Sequence, residues 1–194
     1  AGVVIDLRDG GILAMYSSPS MDPNIFLDRL TQEDVDKYYR NPSRPMLNRA
    51  IQGIYPPGST FKLLVALAAL DKGIITPATT FTCRGHKLFY NREFRCDNVH
   101  GTLNLVQAIA QSCDIYFYEM IRRLGYDRIA PVARAVGLGE RFDLPFPSQR
   151  YGTVSSLIQI PISGRFRMIS MALPIHIEAI RPQNSSGLLV ITWG

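Results

Sequence analysis

The chain has 194 residues, enough for one domain with a sizeable hydrophobic core. Its 46% hydrophobic and 19% charged residues are typical of a globular protein and exclude a disordered one. The net charge of +5 comes from 17 Arg and 4 Lys scattered along the chain, which does not indicate nucleic-acid binding. No apolar stretch reaches the roughly 18 residues of a transmembrane helix. The chain opens at Ala1 without a signal peptide, so we expect a piece of a longer protein.

The first part of the chain predicts a β-hairpin followed by a short helix. Two β-type runs, Val3–Leu7 and Ile12–Tyr16, flank an Asp-Gly turn at Asp9. That dipeptide readily takes the positive φ of a tight hairpin. Farther along, Thr31 can cap a helix whose first turn is acidic, and Asn41–Pro45 ends that helix.

The rest of the chain is organised around the segment Tyr55–Lys62, which reads YPPGSTFK and precedes the apolar run Leu63–Leu70. Pro-Pro-Gly is unfavourable inside a helix, whereas the Leu- and Ala-rich run favours one, so a rigid turn should lead into a helix. Ser59 and Lys62 would then share one helical face, where the amine can point at the serine oxygen. The helix start adds free N–H groups and partial positive charge, which favour a developing anion.

Ser59 and Lys62 are therefore a candidate nucleophile and its base. The alternative is that Ser59 only caps the helix, because Ser-x-x-Lys also occurs by chance. Two features favour the catalytic interpretation. The prolines fix the position of the serine, and the apolar helix would partly desolvate the lysine, which suits a base.

The second half predicts β-type residues over Thr76–His100 and then three helices, at Leu103–Gln111, Ile115–Leu124 and Arg128–Val136. The first two helices are separated by Ser112–Asp114 (SCD), residues that favour caps and turns over helix interiors. A helix, a short polar break and a second helix can present side chains at the rim of a cleft. A kinked connector is the alternative.

Two segments together resemble the penicillin-binding transpeptidases. They are Ser-x-x-Lys within YPPGSTFK and the Ser112–Asp114 segment, which begins 50 residues after the lysine. The opening is also similar, with GVVID at Gly2–Asp6 and GILAMYSSP at Gly11–Pro19, as is Asn48–Ala50. The class B, elongation-type members, the penicillin-binding protein 2 group, are the most similar, over residues 1–151. The resemblance implies the α+β fold of this family and of the serine β-lactamases, an antiparallel sheet with helices, here incomplete at its C-terminal end.

The family resemblance also implies roles for four residues. Ser59 would be the acylated nucleophile and Lys62 its base. Ser112 would relay a proton between Lys62 and the leaving group. Asp114, which stands where the family usually has Asn, would orient the substrate or the lysine. The implied reaction is attack on the D-Ala–D-Ala amide of peptidoglycan stem peptides, followed by crosslinking to a neighbouring strand, and β-lactam antibiotics would acylate the same serine.

The same resemblance implies a cellular location and a set of partners. The parent protein would be anchored in the inner membrane with this domain in the periplasm, and it would work with membrane proteins of the elongation machinery. It implies no cofactor for catalysis and no nucleic-acid partner.

A third family motif, Lys-Ser/Thr-Gly, is missing from the sequence. None of the four lysines precedes Ser/Thr-Gly, and no lysine follows Lys87. We therefore expect this chain to be inactive or impaired as a transpeptidase. One alternative is a non-catalytic fragment with a binding or scaffolding role in the elongation machinery. Another is a β-lactam-sensing or β-lactamase-like domain, although Ala1–Pro19 and Pro56–Gly58 favour the transpeptidase.

Residues 152–194 form a tail that does not resemble the family. From about Val154 the pattern stops, and residues 155–194 hold one acid, Glu178, and no lysine. We expect 1–151 to be the N-terminal part of the transpeptidase domain and 152–194 to be a frameshifted or otherwise aberrant end. A divergent extension is the alternative.

Three cysteines and one histidine have a spacing that fits a metal site. Cys83, Cys96, His100 and Cys113 follow the pattern C-x12-C-x3-H-x12-C, and three thiols with one imidazole match a structural zinc set. Some elongation-type members of the family carry metal ligands at corresponding places. The alternatives are a Cys83–Cys96 disulfide, which a periplasmic location permits, or buried thiols that act as small hydrophobic residues.

Overall fold

The computed structural model describes residues 1–146 and 148–154 and two later strands, which fall into two compact units. The first unit comprises Ala1–Pro56, Asp143–Tyr151 and Met171–Gly194, and the second comprises Pro57–Phe142 and Gly152–Ser170. Among the described residues, none of the helices combines the length and the apolar character of a membrane span.

The first unit is built on a four-stranded antiparallel sheet. Its strands are β1 (Gly2–Asp6), β2 (Ile12–Tyr16), β7 (His176–Ile180) and β8 (Leu188–Thr192), in the order β2-β1-β8-β7. Gly10 turns the β1–β2 hairpin with a φ of +79°, so the hairpin predicted from the Asp-Gly dipeptide is confirmed.

The tail predicted to be aberrant contributes β7 and β8, and β8 pairs with β1. Residues 155–175, 181–187 and 193–194 of that tail lie outside the described residues. The domain boundary at residue 151 and the proposed frameshift therefore stay predictions.

The helices of the first unit are short. Helix α1 (Gln32–Asp34) is followed by a π-helical turn, Val35–Tyr39, and α2 (Arg49–Gln52) comes later. Thr31 caps α1 as predicted: its hydroxyl accepts from the Asp34 backbone N–H at 3.1 Å, while the Asp34 carboxylate accepts from the Thr31 N–H at 2.9 Å.

The second unit combines helices with two small two-stranded sheets. Helix α3 (Phe61–Asp71) comes first and α4 (Leu105–Ala110), α5 (Asp114–Leu124) and α6 (Tyr126–Ala135) come last. Between them, β3 (Phe81–Cys83) pairs with β6 (Gly101–Leu103), and β4 (His86–Phe89) pairs with β5 (Arg92–Arg95). All strand pairs among the described residues are antiparallel, so the predicted combination of helices with an antiparallel sheet is confirmed.

Two predicted helix starts were wrong by two residues each. Helix α4 begins at Leu105 instead of Leu103, because Asn104 caps it and Leu103 pairs with Phe81 in the β3–β6 ladder. Helix α6 begins at Tyr126 instead of Arg128, directly after the left-handed Gly125 at φ +79°.

The core of the second unit lies where α3 contacts α5 and α6. Small residues on α3 let the helices approach closely, since Ala68 and Ala69 are fully buried beside Val65. Helix α5 supplies the large buried side chains Ile115, Tyr116, Phe117, Met120 and Leu124. This packing sets the position of α5 relative to α3, and both elements carry candidate site residues.

A buried carboxylate, Glu119 on α5, links that helix to strand β4. It is 3% exposed and accepts hydrogen bonds from Lys87 Nζ at 2.9 Å, Arg122 Nη2 at 2.6 Å and Arg123 Nε at 3.0 Å. Burial alone would raise the pKa of Glu119, but the hydrogen-bonded cations outweigh it and lower the pKa to about 2. The carboxylate therefore stays charged and holds three cations together.

We predict that Glu119→Gln lowers the free energy of unfolding by about 3 kcal/mol, because it leaves Lys87, Arg122 and Arg123 without their shared partner. Urea denaturation at neutral pH measures this loss. The difference in unfolding free energy between the variant and wild type should have its full value above pH 4.5. It should shrink as the pH falls toward about 2, because the carboxylate is then protonated through its depressed pKa.

The matched control is Glu93→Gln, which removes an exposed carboxylate 3.1 Å from Arg95. That surface pair should contribute less than about 1 kcal/mol. Equal unfolding midpoints for the two variants would contradict the structural role of Glu119.

Candidate active site and adjacent thiol cluster

The serine of the Ser-x-x-Lys segment lies on a turn immediately before α3. Pro57 precedes a short 3-10 turn, Gly58–Thr60, in which Gly58 has a left-handed φ of +54°. The sequence predicted Ser59 and Lys62 together in the first helical turn. The structure places the exposed Ser59 in the 3-10 turn and Lys62 in α3, because the left-handed Gly58 delays the start of the regular helix.

The predicted break between two helices is present between α4 and α5. Ser112 has a φ of +50°, a left-handed conformation that is uncommon for a residue with a side chain. Its N–H donates to the Ile109 carbonyl at 3.1 Å, and Cys113 N–H donates to the Ala108 carbonyl at 3.0 Å. The backbone therefore turns sharply at Ser112 and starts α5 at Asp114. Such strained positions are frequent at functional sites.

The four residues predicted to be catalytic meet at one place in the second unit. Lys62 Nζ donates to Ser112 Oγ at 2.8 Å and to the Ser112 carbonyl at 2.7 Å. The same ammonium forms an ion pair with Asp114 Oδ1 at 2.7 Å. Ser112 Oγ in turn donates to Ser59 Oγ at 2.9 Å. The structure thus joins Ser59 to Lys62 through Ser112.

This connection differs from the sequence prediction in one respect. We expected the Lys62 amine to point directly at Ser59, but in the described part of the chain no hydrogen bond joins these two side chains. The reason is the α4–α5 break, which presents both the carbonyl and the hydroxyl of Ser112 to the ammonium.

Phe117 completes the surroundings of the lysine and was missed by sequence analysis. The Lys62 ammonium lies 5.7 Å from the Phe117 ring centroid, within range of a cation–π interaction. The Lys62 side chain is only 15% exposed. Phe117 lies three residues after Asp114 on α5, and this helical spacing is the signal that could have placed both on one face.

The predicted metal ligands also come together in the second unit. The ligand atoms of Cys83, Cys96, His100 and Cys113 all lie within 4.8 Å of one another. Cys96 Sγ lies 3.5 Å from His100 Nδ1. Cys83 and Cys113 are buried, and the three cysteines carry free thiols in this structure. Four sulfur and nitrogen donors at this separation fit the size and chemistry of a tetrahedral zinc site.

The thiol cluster and the serine–lysine site share the α4–α5 break. Cys113 lies between Ser112 and Asp114 in sequence, so one ligand candidate separates two site residues. In addition, the Asp114 backbone N–H donates to Cys96 Sγ at 3.3 Å. The position of Asp114 therefore depends on contacts with both groups.

Comparisons with known proteins agree with the motif resemblance. Residues 1–170 match the family described as the penicillin binding protein transpeptidase domain. Peptidoglycan D,D-transpeptidase MrdA of Escherichia coli K12 is 37% identical over 158 residues, which is 79% of this chain and 25% of that protein. MrdA of Acinetobacter baumannii is 38% identical over 154 residues, covering 77% of this chain and 23% of that protein. The chain thus spans about a quarter of the length of these curated relatives.

Solved structures give the same result for the fold. Pseudomonas aeruginosa PBP2 in complex with WCK 5153 superposes with a TM-score of 0.75 at 36% identity, covering 80% of this chain and 36% of that chain. The complex between PBP2 and MreC from Helicobacter pylori gives a TM-score of 0.77 at 31% identity, covering 81% and 30%. The family resemblance and the fold class predicted from sequence are therefore confirmed.

Proposed function

Because the chain belongs to the penicillin-binding protein transpeptidase domain family, we propose that it is part of a peptidoglycan D,D-transpeptidase of the penicillin-binding protein 2 class, with Ser59 as the acylated residue. The observation that carries this proposal is the continuous contact from Ser59 through Ser112 to Lys62 and Asp114. It has the nucleophile, the relay and the base that serine acyl transfer needs.

The acylation step follows from this geometry. For this step Lys62 acts as a neutral amine, and both hydroxyls turn to donate toward it, the reverse of the direction in the structure. Ser59 Oγ attacks the carbonyl carbon of the D-Ala–D-Ala amide, its proton passes to Ser112, and the Ser112 proton passes to Lys62. The tetrahedral intermediate then collapses, and the same relay returns a proton to the departing D-Ala amine. An ester on Ser59 remains, and the amine of a neighbouring strand attacks it to form the crosslink.

The surrounding structure supports each part of this reaction. Ser59 lies at the N-terminal end of α3, whose partial positive charge stabilises the oxyanion that forms. Asp114 anchors the Lys62 amine at 2.7 Å, so the amine stays aimed at Ser112. A β-lactam would react in the same way, because opening its ring places an ester on Ser59 and the released nitrogen takes the proton.

A second candidate function is a non-catalytic part with a binding or scaffolding role in the elongation machinery. The observation that favours it is the absence of Lys-Ser/Thr-Gly from the sequence. A β-lactam-sensing or β-lactamase-like role has less support, because the curated relatives described above are named as transpeptidases.

The partners of the relatives suggest the setting of this domain. One solved complex joins PBP2 to MreC, and another concerns the coordination of polymerization and crosslinking by a peptidoglycan synthase complex. We infer that the present domain works beside membrane proteins of the elongation machinery. It would lie in the periplasm as part of a protein anchored in the inner membrane.

We also propose that Cys83, Cys96, His100 and Cys113 hold a structural zinc ion. The donor set and the separation of the ligand atoms support this assignment. The ion would neutralise the crowded thiols and tie β3 and the segment after β5 to the α4–α5 break. The proposed acyl transfer itself uses no cofactor, so the role of the cluster is to hold Ser112 and Asp114 in position.

We predict that benzylpenicillin adds one acyl group to the folded chain and none to Ser59→Ala, because among the described residues the hydroxyl that contacts the Ser112–Lys62 relay is that of Ser59. Intact mass spectrometry measures the adduct, and labelling with a fluorescent penicillin reports its rate. Ser20→Ala, a change at an exposed serine of an N-terminal loop, is the matched control and should label like wild type.

Two results would contradict the catalytic proposal. Labelling of Ser59→Ala would mean that another residue is the nucleophile. Absence of any adduct on a chain with cooperative unfolding would instead support the non-catalytic role.

For the thiol cluster we predict about one zinc per chain in protein purified under reducing conditions, and its loss in Cys83→Ser. Removal of the metal by a chelator should lower the melting temperature of wild type, because metal binding contributes to folding. His86→Gln changes a histidine outside the cluster and should keep the metal. A metal-free chain whose unreduced mass is lower by two hydrogens would instead establish the disulfide.

A further inference from the structure

A cavity of about 520 Å³ opens in the first unit. Its volume lies within the range of small-molecule pockets. Three tyrosines, Tyr38, Tyr39 and Tyr55, contribute to its lining, together with two arginines, Arg44 and Arg150. Tyrosine and arginine are, with tryptophan, the residue types enriched among the side chains that dominate the binding energy of protein interfaces. The function proposed above makes no use of this cavity.

The charged residues that line the cavity, among those described, are all positive. None of its described lining residues is acidic, and two are arginines. Within the described ranges, neither Arg44 nor Arg150 has a carboxylate at ion-pair distance, whereas nearby Arg40 pairs with Asp36 at 2.9 Å. A guanidinium presents its N–H groups in a planar fork that matches a carboxylate. The cavity therefore offers two positions for anionic groups.

The wall that carries Arg44 is held in place by backbone hydrogen bonds. The Arg49 guanidinium donates to the carbonyl oxygens of Ser43, Arg44 and Leu47. Ser17 Oγ also donates to the Leu47 carbonyl at 3.2 Å and accepts from the Arg49 N–H at 3.0 Å. Arg44 itself has a left-handed φ of +49°. These contacts fix the direction in which Arg44 leaves the backbone before any ligand binds.

The part of the cavity lining that carries Arg150 is fixed in a similar way. Arg150 N–H donates to the Ile51 carbonyl at 2.8 Å, which ties the second arginine to helix α2. Gly53 allows the Tyr55 ring to lie against the backbone, since a Cβ at Gly53 would collide with that ring and with the Arg49 carbonyl oxygen. A preformed pocket loses little freedom on binding and so binds more tightly.

We propose that this cavity binds an acidic peptide segment of a partner protein. One carboxylate would pair with Arg44 and a second with Arg150, while an aromatic or aliphatic side chain between them would pack on the tyrosines. Charge complementarity selects acidic residues, and the tyrosine lining selects a peptide over a small inorganic anion. This proposal is independent of the role of Ser59.

The test uses a fluorescein-labelled probe peptide, Gly-Glu-Phe-Glu-Gly, and fluorescence anisotropy on the intact chain. We expect binding that weakens as salt is added. The affinity should fall about tenfold or more when both glutamates of the peptide are replaced by glutamine. Arg44→Gln and Arg150→Gln should each weaken binding by about tenfold. Both side chains are exposed, so these variants should keep the wild-type melting temperature.

Arg40→Gln is the matched control, because Arg40 already pairs with Asp36 and does not line the cavity. Several outcomes would overturn the proposal. They are equal binding of the glutamate and glutamine peptides, unchanged binding in both arginine variants, and displacement of the acidic peptide by inorganic phosphate at equal concentration, which would indicate a simple anion site. Absence of binding at millimolar peptide would overturn it as well.

Discussion

The candidate active site depends on the contacts of the Lys62 ammonium. It donates to the hydroxyl and the carbonyl of Ser112 and pairs with the Asp114 carboxylate, so it joins the start of α3 to the α4–α5 break. A largely buried ammonium without such partners would be strongly unfavourable. The ammonium therefore favours the arrangement in which the start of α3 meets the α4–α5 break. Ser112 has an unfavourable left-handed backbone conformation at this position, and the packing of α5 on α3 maintains that conformation.

The α4–α5 break serves two groups of side chains at once. Ser112 and Asp114 face the serine–lysine site, while Cys113 faces the thiol cluster, and the Asp114 N–H contacts Cys96 Sγ. An ion bound to the cluster would therefore restrain the same few residues that hold the lysine. This shared backbone offers a physical reason for a structural metal site in a domain whose proposed chemistry needs no cofactor.

Local chemistry made much of the site and of the fold predictable. The Asp-Gly dipeptide predicted the first hairpin, Thr31 predicted a helix cap, and Pro-Pro-Gly before an apolar run predicted the turn that carries Ser59. Long-range packing was not predictable in the same way. The insertion of Ser112 between Ser59 and Lys62 depends on how α5 packs on α3, and Leu103 joined a strand because of its distant partner Phe81. The cavity beside Arg44 depends on segments far apart in sequence, so no local pattern indicated it.

In the proposed reaction Lys62 accepts a proton, in addition to holding Ser112 and Asp114 in position. The most direct test is the rate of acylation by a fluorescent penicillin in Lys62→Arg. Arginine keeps the positive charge and can still pair with Asp114, but it does not deprotonate in proteins. If Lys62 is the proton acceptor, the rate should be at least about 100-fold lower than that of wild type, with an unchanged melting temperature. A Lys62→Arg chain that is acylated at the wild-type rate would contradict this role.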